Sequence, residues 1–170
     1  PDTGMRCASV LSRWIPAARA QFHPSRGRPE LACYGMGAID NWCVQTNQKA
    51  FAALAVLATD PGFDEKAAGM GRGELTEWAL KLLRFSLESH EGGEAACSDG
   101  QAWGPSWISP LGLERMMHGV EALGPHLAPA DREALQRVLI AECDWLVDRY
   151  LLVAHPSDRS KNHPESNLWI

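Results

Sequence analysis

The chain has 170 residues, 45% hydrophobic and 22% charged, which is the make-up of one ordinary globular domain and excludes a disordered segment. With 16 Lys and Arg against 21 Asp and Glu the net charge is −5, which argues against nucleic acid or an anionic membrane as a partner. No apolar run has the length of a membrane-spanning helix, no signal-peptide pattern opens the chain, and no two of the 5 Cys stand at CxxC spacing. The cysteines therefore read as reduced and structural, in a soluble protein of the cytoplasm or one secreted after processing.

In chain order, Val10 to Phe22 reads as a helix interrupted or begun at Pro16, and Gln21 to Gly37 as loop. Asp40 is a good N-cap for a helix running to Thr59, which Asp60-Pro61-Gly62 stops. The stretch Ala50 to Ala58 is free of charge, while Asn41, Gln45 and Gln48 share one face. That pattern predicts an inner helix bordering a polar cavity. From Glu74 to Glu88, Leu75, Trp78, Ala79, Leu82 and Leu83 form one stripe and Glu74, Glu77, Lys81, Arg84 and Glu88 the opposite one. Such a helix is expected on the outside, half exposed. His90 to Gly100 reads as a surface or cleft-side loop whose acidic residues do not fit the EF-hand spacing, so no metal is expected there.

Ser109 and Pro110 supply an N-cap and a first-turn Pro for a helix to Leu123, with Leu113, Met116, Met117, Val120 and Leu123 as its apolar stripe. A second outer-type helix is expected from Pro129 to about Leu152, with Asp131 and Glu133 in its first turn, where the helix dipole favours them. His155-Pro156 ends it, and Pro164 to Trp169 opens another helix. No segment shows sustained period-two alternation, so no strand is required and the fold class is all-α.

The alternation of helix types is a repeat of architecture rather than of residue identity. Inner-type helices open near residues 40, 109 and 165, and Trp42, Trp107 and Trp169 mark those openings at spacings of 65 and 62 residues. The expected layout is one helical domain of antiparallel hairpins: an extension with one helix over 1–38, a first hairpin over 39–100, a second over 101–156, and the start of a third over 157–170. Polar residues and Trp recur at the same end of each inner helix and are expected to cluster on one face.

This layout resembles the (α/α) toroids of carbohydrate-active enzymes, the glycoside hydrolases and polysaccharide lyases, over roughly residues 39–170. The resemblance implies part of such a toroid, with a sugar-binding cleft at the rim where the inner helices open. It further implies that the remainder of the toroid, or another chain, covers apolar surface left exposed on the inner helices. A carbohydrate substrate is the expected partner and no cofactor is needed. A pyranose stacks its apolar C–H face on an indole while planar polar groups take its hydroxyls. Asn41, Trp42, Trp103, Trp107, Asn167 and Trp169 are the candidate binding residues. Hydrolysis uses two carboxyl groups, for which Asp40 and Glu165 are the candidates, with His163 beside them as a further acid or base. A lyase would instead draw on Asn41, Asn167, His163 and Tyr34, as the resemblance implies for toroid lyases. The rival from another class is a non-catalytic helical-repeat scaffold whose Trp are core.

Overall fold

The computed structural model describes residues 3–25, 28–35, 41–106 and 108–151. They form a mostly helical fold with one small sheet: α1 (Thr3–Arg19), β1 (Phe22–Ser25), β2 (Arg28–Tyr34), α2 (Asn41–Thr59), a single turn α3 (Glu65–Ala68), α4 (Arg72–Glu88), α5 (Ser109–Ala122) and α6 (Pro129–Trp145). A 3-10 turn precedes α6 and a π turn, Leu146–Leu151, follows it.

Two expectations about the first 35 residues are corrected. Helix α1 neither starts nor stops at Pro16 but carries it inside. Its buried face is Ala8, Ser12, Ile15 and Ala18, spaced by three and four, and the packing of that face outweighs the one backbone bond that proline removes. The stretch expected to be loop folds into an antiparallel hairpin, with Phe22 opposite Tyr34 and His23 opposite Cys33. Alternation is missing from its sequence because Leu31, Ala32 and Cys33 are all buried, with α4 packed against β2. A strand covered on both faces has no polar side to alternate with.

Helix α2 is the axis of the core. Phe51, Leu54 and Ala55 are fully buried, and only Thr46, Lys49, Val56 and the terminal Thr59 are exposed among its described side chains. It runs parallel to α5, as three contacts in increasing order establish. The Gln45 amide reaches the Ile108 carbonyl, Gln48 lies over Gly112, and Phe51 lies over Gly119. Helix α4 is antiparallel to α2. Asn47 bonds Leu82 and Ser86 near the end of α4, while Arg72 at its start reaches the Ala58 carbonyl at the end of α2. Helix α6 in turn runs parallel to α4, through Arg84 to Asp131, Leu87 to Arg137 and His90 to Glu142. The chain therefore runs along α2, back along α4, forward along α5 and back along α6, with α5 packed on α2 and α6 on α4.

The division into inner and outer helices holds only in part. The first half of α4 is half exposed as expected, but Leu82, Leu83, Phe85, Ser86 and Leu87 are buried all round, enclosed by α2, β2 and α6. Ser109 is not an N-cap. It is the first residue of α5, and its hydroxyl donates back to the Gly104 carbonyl at 3.1 Å. Met116 is core, whereas its neighbour Met117 is exposed. The polar stripe of α2 borders no open cavity in the described residues, because Gln45 and Gln48 are buried in the α2–α5 seam. Exposed apolar side chains occur on α2 and α5 (Val56, Met117) and also on the outer side, at Ile140 of α6. Beside Ile140, Leu135, Leu139 and Cys143 line a shallow trough of about 340 Å³. No helix among the described residues is long and apolar enough to cross a membrane.

Candidate functional site

The directions of the helices decide where chemistry can gather. The starts of α2 and α5 and the ends of α4 and α6 all meet at one end of the array, the end to which the sequence assigns its rim. Asn41 opens α2 there. Of the other candidates, Asp40, Trp107, His163, Glu165, Asn167 and Trp169 lie outside the described residues, as do the side chains of Asn41 and Trp42. Only Trp103 and the lyase candidate Tyr34 can be placed in full.

Trp103 is 4% exposed, its indole N–H donates to the Ser86 carbonyl at 2.9 Å, and its ring meets the His90 ring edge-on at 4.6 Å. An indole this deeply buried, with its N–H satisfied, offers no platform to a sugar. The expectation for this residue is corrected: Trp103 is a clamp in the core. Its backbone completes the clamp, since Trp103 donates to the Ser89 carbonyl and Glu91 donates to the Trp103 carbonyl at 2.7 Å. The loop from Glu91 to Ala102 is thus closed at its base like a purse.

Under that clamp lies a polar group that no sequence motif announces. His90 and Glu142, 52 residues apart, are both 0% exposed, with Nε2 to Oε1 at 3.3 Å. The other ring nitrogen, Nδ1, stands 2.8 Å from the Glu91 carbonyl oxygen. A carbonyl oxygen only accepts, so Nδ1 carries hydrogen. The contact between Nε2 and Oε1 then needs one further proton, held by the ring or by the acid. Burial pushes the Glu142 carboxyl above the usual carboxylate range, and its neighbours His90 and Ser109 pull the other way without cancelling that rise. The second oxygen, Oε2, is buried without a partner.

Ser109 connects this pair to the start of α5, where Ser106 donates its backbone N–H to the Ser109 hydroxyl at 3.1 Å. The signal available in the sequence was the isolated His at the end of an apolar helix and a Glu at a core-facing position of another. Neither announces its partner, because the two are brought together by the α4–α6 crossing.

Among the described residues, one surface groove runs along α2 and another lies beside β2. Along α2 from Thr46 to Ala53, Leu11, Trp14 and Tyr34 enclose an open, largely apolar groove of about 420 Å³, with Lys49 as its one charged lining residue among the described residues. Trp14 and Tyr34 lie 5.9 Å apart with rings tilted at 52°. Between β2, α4 and α6, a groove of about 360 Å³ carries Arg28, Glu30, Arg84, Glu88, Asp131 and Arg137. Six of its charges are committed in pairs, Arg28 to Glu30, Arg84 to Asp131 and Arg137 to Glu88, while Glu94 and Glu133 line it outside those pairs.

The described thiols are free, and burial pushes those of Cys33 and Cys97 upward, which keeps them as unreactive thiols. No group of three His, Cys, Asp or Glu side chains among the described residues converges as a metal site. Comparison with protein-family models, with curated proteins and with solved structures finds no match to this chain.

Proposed function

We propose that the chain is part of an (α/α)-toroid enzyme that hydrolyses glycosidic bonds in poly- or oligosaccharides, uronic-acid-containing ones included. The observation that carries this reading is the parallel pairing of α2 with α5 and of α4 with α6, which brings the openings of both hairpins to one end. In this reading Asp40 and Glu165 are the carboxyl pair and His163 assists them. Asn41, Trp42, Trp107, Asn167 and Trp169 line the sugar path. Trp103 drops out of that set, and its loss is offset by Trp14 and Tyr34. Their open groove begins level with the second turn of α2 and offers aromatic faces beside an ammonium and a hydroxyl.

A non-catalytic scaffold is the second reading, favoured by the burial of Trp103, His90 and Glu142. The two are separated by incubating the chain with oligosaccharides with and without uronic acid. New reducing ends without ultraviolet-absorbing unsaturation, lost in Asp40→Asn and Glu165→Gln, support hydrolysis. Unsaturated ends would replace it with the lyase. No product and no binding of any glycan would leave the scaffold.

A further inference from the structure

We propose that His90 and Glu142 are a one-proton latch: while they share a proton they hold the 89–106 loop and the second hairpin against the first, and losing it releases the loop. The inference does not depend on the sugar reading. It starts from where the pair sits. His90 ends the polypeptide of the first hairpin, its backbone is bridged to Trp103, and its ring reaches across to α6. Glu142 also touches Ser109, whose hydroxyl holds Gly104 and Ser106. One acid therefore ties together the end of α4, the loop, the start of α5 and α6.

The proton count follows from the partners. With Nδ1–H committed to the Glu91 carbonyl, a single proton between Nε2 and Oε1 makes the pair neutral overall, whichever side holds it. Remove that proton and a carboxylate faces the lone pair of a neutral imidazole inside the protein. The charged groups around it give no compensation. Glu91, on the loop, is acidic. On α4, Glu88 is acidic and is paired with Arg137 of α6, which also donates to the Leu87 carbonyl. From the loop and α5, Cys97 and Ser109 are neutral. An unpaired buried charge is relieved by reaching water, and the element free to move is the loop, whose closure rests on Ser89, Glu91 and Trp103.

The sign is fixed. A carboxyl favoured in its protonated form by the fold stabilises the closed state at low pH, and that contribution is lost as pH rises through its folded value. The test is amide hydrogen exchange of the full chain, corrected for intrinsic rates, between about pH 4 and about pH 9, a range that starts near the ordinary acid value and passes the ordinary imidazole one. Protection of a peptide spanning 89–106 is expected to fall by about tenfold or more across that range, while a peptide from α2 is unchanged, a tenfold fall being what one unbalanced proton gives over about one pH unit.

In Glu142→Gln the amide can donate to Nε2, so the loop is expected to stay closed and its protection to be flat with pH. A profile for Glu142→Gln that falls as the native one does would overturn the latch. Should that variant not fold, the native chain decides alone. A flat exchange profile for 89–106, or a fall shared equally by α2, overturns the proposal.

Discussion

Gly119 of α5 lies so close to Phe51 of α2 that a Cβ placed on it would come within 2.7 Å of the ring and 2.9 Å of the Ala52 Cα. The second of these is backbone and cannot swing aside. Gly112, two turns earlier, would bring its Cβ within 1.8 Å of Gln48 Oε1, which is the far end of a flexible side chain. Gly119→Ala is therefore expected to destabilise by about 1–3 kcal/mol, as overpacking does. Gly112→Ala should cost less, because Gln48 can turn away and the helix gains up to about 1 kcal/mol from the lost glycine. Urea unfolding of both variants checks the order, and equal effects would mean that the two helices are not held at this distance.

Asn47 uses its whole amide. Its Oδ1 accepts the Tyr34 N–H at 2.8 Å, and its Nδ2 donates to the Leu82 carbonyl at 2.9 Å and to the Ser86 hydroxyl at 2.8 Å. It fastens the hairpin strand β2 and helix α4 to α2 through one side chain that is 1% exposed. Asn47→Leu keeps the volume and orphans all three partners, so a loss of about 2–5 kcal/mol is expected from unsatisfied buried groups. The measurement is the shift of the urea midpoint at unchanged slope, since the slope reports exposed area rather than strength.

What the sequence shows of this fold is what local pattern can carry. The charge-free run from Ala50 to Ala58, the Asp60-Pro61-Gly62 stop and Pro110 mark α2 and α5 within a residue or two. Their parallel pairing was foreshadowed by the repeat of openings, because a fixed alternation of hairpins returns each inner helix to the same direction. The β-hairpin was not visible, since Leu31, Ala32 and Cys33 are covered on both faces and so lack the polar alternation that betrays a strand. The second half of α4 departs from the outer pattern for a similar reason. Its stripe of Leu and Trp is amphipathic in the first three turns, and its later burial is imposed by β2 and α6, which no single helix pattern records. The His90–Glu142 pair depends on the α4–α6 crossing and is a property of packing alone.

Arg84 and Asp131 make a two-pronged pair, at 2.8 and 3.1 Å, and Asp131 Oδ2 also accepts the Ala128 N–H at 3.0 Å. The carboxylate thus joins α6 to α4 and caps its own helix, and it holds the Arg84 guanidinium above its already high ordinary value. Asp131→Ala removes both functions, and a loss of about 2–4 kcal/mol is expected, with the partly exposed Arg84 free to regain water. Asp131→Asn retains an acceptor for Ala128 and should lose roughly half as much, since one charge-assisted bond survives the change at best. Thermal unfolding at low and high salt completes the test. A pair shielded on the Asp131 side should show little salt dependence, whereas a purely surface pair would weaken markedly.

Trp103 separates a core residue from a binding platform without any ligand. A solvent-facing Trp can be replaced at a cost within about 0.5 kcal/mol, whereas truncating a buried one to Ala costs about 3–5 kcal/mol. With the ring 4% exposed, Trp103→Ala is expected at the upper end. Trp103→Phe isolates the polar part, because it fills most of the space but leaves the Ser86 carbonyl without the indole N–H, for an expected loss of about 1–3 kcal/mol. The same variant should loosen His90, whose ring packs edge-on against Trp103, so the exchange of the 89–106 segment should rise along with the loss of stability. If Trp103→Ala proved neutral to folding while abolishing binding of a glycan, the residue would be a platform after all, and the clamp at the base of the loop would have to be assigned elsewhere.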